Sequence, residues 1–82
     1  MYNVNQKLEL REQLKRKVSG KVATDTEIVI TLLILHRTQR ITKSDIPELL
    51  IYAMGRDRAK LAIKNIPKSV NDELITDIIK SI

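Results

Sequence analysis

Apolar residues recur along this chain at helical spacing, in stretches separated by turn-forming residues. The densest stretch, Ile28-Val29-Ile30-Thr31-Leu32-Leu33-Ile34-Leu35, is apolar almost without interruption. Thr24-Asp25-Thr26-Glu27 stands before it with the spacing of a capping box. In such a box the Thr24 hydroxyl accepts from an orphan backbone N–H and Glu27 reaches back three residues. Arg37 and Arg40 follow, which suits the negative end of a helix. A helix is therefore expected from 25 to about 39. Ile28, Val29 and Ile30 are β-branched and would also suit a strand, but the cap and the length of the stretch favour helix. A helix apolar nearly all round needs cover on every side. Two other segments of a short chain cover two faces and leave a third. A second copy of the protein is the simplest cover, so a homo-oligomer is expected, with this helix near a subunit interface.

The remaining stretches extend the pattern. Residues 4 to 18 read as a first helix with a narrow stripe of Val4, Leu8, Leu14 and Val18, interrupted at Arg11, with Leu10 beside it. Its other face carries Lys7, Glu9, Glu12, Lys15, Arg16 and Lys17. Ser19-Gly20 ends it, with Gly20 at a natural C-terminal position. Ser44 is expected to cap a third helix, with Pro47 tolerated in its first turn and Ile46, Leu49, Leu50, Ala53 and Met54 at helical spacing. Gly55 then marks a bend or a close approach. Helix resumes from 56 to 65, with Leu61 and Ala62 apolar, and Pro67 forces a break or kink. Ser69-Val70-Asn71-Asp72 restarts a helix with Leu74, Ile75, Ile78, Ile79 and Ile82 on its apolar side. An all-α single domain over 1–82 follows, built of three to five helical pieces.

Composition narrows the class. In 82 residues there is no Cys, one His, no Phe and no Trp, so disulfides, thiolate metal sites and a His cluster within one chain are excluded. The core has to be Ile and Leu, with two Tyr as the aromatics. A chain of this size buries only about 60% of its unfolded surface, so its stability alone is modest. No apolar run approaches the ~20 residues of a membrane span, and Met1-Tyr2-Asn3-Val4-Asn5 lacks the form of a signal peptide. A soluble, cytoplasmic protein is expected. The net charge of +5 allows either plain solubility or an anionic ligand, whether nucleic acid or a small phosphate compound.

No catalytic constellation is visible. His36 stands alone after the apolar run, as a helix-end residue. Neither Ser19 nor Ser69 has the strand-turn setting of a nucleophile elbow. Two glycines, Gly20 and Gly55, are too few for a phosphate-cradling loop. The acidic residues are scattered, many at helix starts. The chain is expected not to be an enzyme, and to need no cofactor and no metal.

Two places could hold an anion. The first is Tyr2 with Lys17 and Ser19. Tyr2 precedes the first helix and Lys17 and Ser19 lie at its far end, so about 22 Å separates them in one chain. An antiparallel partner would bring the Tyr2 of one copy beside the Lys17 of the other. Tyr offers a face for a base, Lys a charge for phosphate and Ser a hydroxyl donor. The bland alternative is a frayed terminal Tyr and an ordinary helix-end Lys. The second place is Gly55-Arg56-Asp57-Arg58-Ala59-Lys60, where Arg56 and Lys60 share a helix face and Arg58 points elsewhere. Here the bland alternative is a solvated basic face.

With these residues in view, the chain resembles the small phage anti-CBASS proteins that sequester cyclic oligonucleotides, the family called anti-CBASS protein two. Gly55-Arg56-Asp57-Arg58-Ala59-Lys60-Leu61-Ala62-Ile63-Lys64 is similar to that family's G-R-E-[KR]-S-x-A-x-T-K segment near the start of its last long helix. Tyr2, Lys17 and Ser19 are similar in order and spacing to an early Tyr, a Lys fifteen residues on and a Thr two further. The resemblance implies a short N-terminal helix with long antiparallel helices, assembled as a hexamer. It implies binding, without cleavage, of the cyclic di- and trinucleotide messengers made by bacterial defence synthases, such as cyclic GMP–AMP. CBASS effectors in the infected host's cytoplasm would then stay inactive. In that scheme Tyr2 stacks on a base, Lys17 and Ser19 contact phosphate between two protomers, and Arg58, with Asn3, belongs to a separate trinucleotide pocket. The chain departs from the pattern at Ser19 in place of Thr, at Pro67 inside the last long helix, and in Ile and Leu where late aromatics are usual.

Two rival functions fit parts of the same pattern. A small helix-turn-helix-like DNA-binding regulator would use 31 to 50, with Thr42-Lys43-Ser44 at the turn, although Asp45, Ile46, Pro47 and Glu48 are poor equipment for reading bases. A protein–protein inhibitor or adaptor would use the apolar helix as its docking face.

Overall fold

The structure is a computed structural model that describes residues 1–67 and 72–82. Among these residues it is all-helical, with α1 (Val4–Ser19), α2 (Asp25–Arg37), α3 (Asp45–Met54), α4 (Arg56–Lys64) and α5 (Asp72–Ser81). The expected restart at Ser69, Val70 and Asn71 lies outside the described residues.

Local chemistry sets most helix ends. Thr24 and Glu27 form the expected capping box on α2: the Glu27 N–H donates to the Thr24 hydroxyl and the Thr24 N–H to Glu27 Oε1, both at 3.1 Å. Asn3 and Gln6 form a second box on α1. Both of these helices close with the paired bonds of a Schellman motif. In α1 the Val22 N–H donates to the Lys17 carbonyl and the Lys21 N–H to that of Val18. In α2 Arg40 and Gln39 donate to Leu35 and His36 in the same way. The left-handed position falls on Lys21 (φ 53°) and Gln39 (φ 61°), not on Gly20, which keeps right-handed angles.

The start of α3 corrects the expectation for Ser44. Ser44 already has helical angles (φ −69°, ψ −21°) and makes no side-chain cap. The turn before α3 is closed instead by Asp45, whose Oδ2 accepts from the Thr42 N–H at 2.9 Å. The end of α3 is at Gly55, with φ 86° and ψ 161°. Those angles belong to a region open essentially to glycine alone. A Cβ there would meet nothing within 4 Å, so Gly55 makes a bend and not a close approach.

The proportions differ from those implied by the family resemblance. The N-terminal helix is the longest, at 16 residues, while Gly55 ends α3 after 10 residues and α4 after it has 9. No Gly or Pro interrupts α1, whereas Gly55 and Pro67 divide the second half of the chain. Helices α1 and α3 lie side by side in the same direction: Lys7 pairs with Asp45 at 3.0 Å, and further along the Tyr52 hydroxyl donates to Glu12.

One aliphatic cluster draws on all five helices. Ile28, Leu32, Ile46, Leu50, Ile63 and Ile78 are fully buried within it, each stabilising the fold by about 1.5–3 kcal/mol. The register of α1 differs from the expected stripe. Leu10, Leu14 and Val18 face the core, while Val4 is 73% exposed and Leu8 44%. On α4, Ala59, Ala62 and Ile63 face inward and Leu61 is 60% exposed. Helix α2 buries Ile28, Val29, Leu32 and Leu33 and leaves Ile30 and Ile34, one turn apart, exposed at 40% and 54%. An open face therefore does remain on α2. Among the described residues no helix is long and apolar enough to cross a membrane.

Candidate ligand-binding surface

Helix α1 carries the first expected site at its two ends. Tyr2 is not frayed. Its N–H donates to the Arg40 carbonyl at 2.7 Å, and its half-buried ring packs against the core. The Schellman closure of α2 turns the chain so that this carbonyl faces the start of α1. The Arg40 guanidinium lies 5.9 Å from the Tyr2 ring centroid. That is close to the ~6 Å limit of a cation–π contact, so the exposed guanidinium is barely engaged by the ring. A hollow of about 170 Å³ opens beside the ring, bordered by Gln6, Glu9, Leu10 and Gln13.

Asn3 sits at the head of the same helix. Its Oδ1 accepts from the Gln6 N–H at 2.8 Å, and the Gln6 Oε1 accepts from the Asn3 N–H at 3.0 Å. The Asn3 amide N–H groups stay unused in this box. Lys17 and Ser19 are exposed in the last turn of α1, about 22 Å away. Lys15, Arg16 and Lys21 surround them in sequence, and none of these cations joins an ion pair among the described residues. A positive potential therefore gathers at this end. The chain does not bring Tyr2 together with Lys17 and Ser19.

Arg58 stands in the first turn of α4 and ties it to the first turn of α2. Its Nε and one terminal nitrogen donate to the two carboxylate oxygens of Asp25, both at 2.7 Å. These bonds and the Asp25 charge raise the guanidinium pKa above its ordinary value. The described bonds join Arg58 to Asp25, not to Asn3, so a ligand would have to share the guanidinium with this carboxylate.

Two features carried no clear signal in the sequence. One is the contact of Arg40 with Tyr2, which spans 38 positions of chain; Arg40 reads locally as a helix-end charge. The other is a groove of about 510 Å³ between α1 and α3, with Val4, Leu8, Leu49 and Ile51 as its apolar lining. Tyr52 closes one end. Arg11 and Lys15 approach its ring at 4.2 and 4.7 Å, and its hydroxyl donates to Glu12, which raises the phenol pKa. Arg11 and Lys15, spaced i, i+4, were the available hint that one face of α1 grips an aromatic ring. At the other end Asp45 meets Lys7. Burial pushes the Asp45 carboxyl up, but bonds from Thr42 and Lys7 outweigh it and hold the pKa below the usual value.

Set against models of protein families, curated proteins and solved structures, the chain matches none.

Proposed function

We propose that this chain is a non-enzymatic sponge for cyclic oligonucleotide messengers, of the kind phages direct against CBASS defence, working as a homo-oligomer. The observation that carries this reading is the division of α1. A fixed aromatic ring with Arg40 beside it stands at one end, and Lys17 and Ser19 stand exposed at the other. A cyclic dinucleotide presents two flat bases and two phosphates about a two-fold axis. Two copies of α1 running antiparallel would offer two rings and two sets of cations with the same symmetry. Stacking on each Tyr2 is worth about 1–3 kcal/mol, and Lys17 with Ser19 supplies charge-assisted bonds to phosphate. Sequestration needs no chemistry beyond this: free messenger falls by mass action and the effector stays off. Under the same reading, Asn3 and Arg58 form the weaker basis of a trinucleotide pocket.

The test is calorimetric titration with cyclic GMP–AMP. Saturation is expected at about one ligand per two chains, and Tyr2→Ala and Lys17→Ala should each abolish the heat without changing assembly. Normal binding by both variants would reject the site. DNA binding is the weaker alternative, because at the start of α3 Ile46 and Pro47 are buried and Asp45 is already bonded. A protein-docking function draws its support from the apolar α1–α3 groove.

A further inference from the structure

Gln6, Glu9 and Gln13 line one face of α1 at i, i+3 and i+7, and all three border the hollow beside Tyr2, with Leu10 among them. Gln6 has its amide oxygen engaged by the Asn3 N–H, which leaves its N–H groups as donors. The Glu9 carboxylate forms no ion pair and no hydrogen bond among the described residues. It is exposed and borders the hollow that also holds the Tyr2 ring.

A ring for the face of a base and polar groups for its edge are the ordinary means of reading an unstacked nucleobase. The carboxylate decides which base. Guanine presents N1–H and the N2 amine side by side, and one carboxylate accepts from both. Adenine presents the N1 lone pair at the same place, which would leave both acceptors unpaired and opposed. Pyrimidines lack the paired donors.

We propose that the hollow bordered by Tyr2, Gln6, Glu9 and Gln13 is a guanine-selective base site. The Glu9 carboxylate accepts from guanine N1–H and the N2 amine, and the Gln13 amide donates to O6. The inference rests on the reading of Tyr2 as a base platform and names which messenger the sponge holds best.

The experiment is titration of the full chain with cyclic di-GMP, cyclic GMP–AMP and cyclic di-AMP, on the natural sequence and on Glu9→Gln. The natural chain should bind cyclic di-GMP at least about tenfold more tightly than cyclic di-AMP, because adenine sets its N1 lone pair against the Glu9 carboxylate and leaves it unpaired. Glutamine can donate to adenine N1 and accept from its N6 amine. The order should therefore reverse in Glu9→Gln, an outcome that loss of a merely structural residue does not produce. Circular dichroism should be unchanged, since Glu9 is exposed. Equal affinity for the three ligands, or an order unmoved by Glu9→Gln, would overturn the guanine site and leave the sponge standing. No heat from any of the three would overturn both.

Discussion

Gly55 has room for a side chain and no cheap way to hold one. A Cβ would meet nothing within 4 Å, yet φ 86° and ψ 161° lie where other residues carry strain. Gly55→Ala should lower stability by about 1–3 kcal/mol, seen as a lower urea midpoint at unchanged slope. An unchanged midpoint would mean that the α3–α4 corner rebuilds with ordinary angles. Asp45 offers a residue-scale prediction in pH. Its folded pKa lies below the ordinary value near 3.8. The carboxylate therefore contributes stability that is fully present above that value and is lost as pH falls through the lower, folded one. The difference in urea midpoint between the natural chain and Asp45→Asn should be largest near about pH 5 and should shrink as pH falls below the ordinary carboxylate value. A difference constant over this range would mean that Lys7 and Thr42 gain nothing from the charge.

At the scale of the helices, caps test how much of each element is local. Thr24→Ala removes the hydroxyl half of the α2 box, the acceptor for the Glu27 N–H, and should cost about 1 kcal/mol. Ser44→Ala, at the position where a cap was expected, should cost clearly less, because the bonds at the head of α3 run through Thr42 and Asp45. Thermal melts of the two variants side by side decide it, and equal losses would restore Ser44 to the cap. The contrast shows what the sequence made legible. The box at Thr24–Glu27 involves residues three apart, so its chemistry is readable in place. Ser44 has cap chemistry, but the turn beside it closes on the Asp45 carboxylate, which Lys7 also holds from another helix. The register of α1 was hidden for the same reason. Val4–Leu8 and Leu10–Leu14–Val18 are both helical lines, and the position of α3 determines which one faces the core. The open face of α2 was legible because eight nearly unbroken apolar residues exceed what two neighbours can cover. Tyr2 was legible as a candidate, but its anchor on Arg40 was not, since contact across 38 positions leaves no local pattern. Glu9 reads as one more solvated charge until the hollow beside Tyr2 is seen.

For the whole molecule, the exposed pair on α2 and the divided site on α1 make one joint demand. Tyr2 and Lys17 of one chain lie about 22 Å apart, beyond the reach of one small ligand, so function in the proposed form needs a partner. Ile30 and Ile34 form the open side of the helix that most needs cover. Ile34→Glu places a charge on that side without touching the interior, since the residue is 54% exposed in the single chain. A charge buried at an interface without a partner is costly, so assembly should fail while the fold persists. By light scattering the natural chain should run well above the 9.4 kDa of one copy, and Ile34→Glu should run as one copy with unchanged helical dichroism. The variant should also lose cyclic dinucleotide binding, although every candidate ligand residue is intact. Loss of both together would tie the apolar face to the shared site. Binding that survives in a single copy would place the whole site within one chain, and the groove or the Tyr2 hollow alone would then have to hold the ligand.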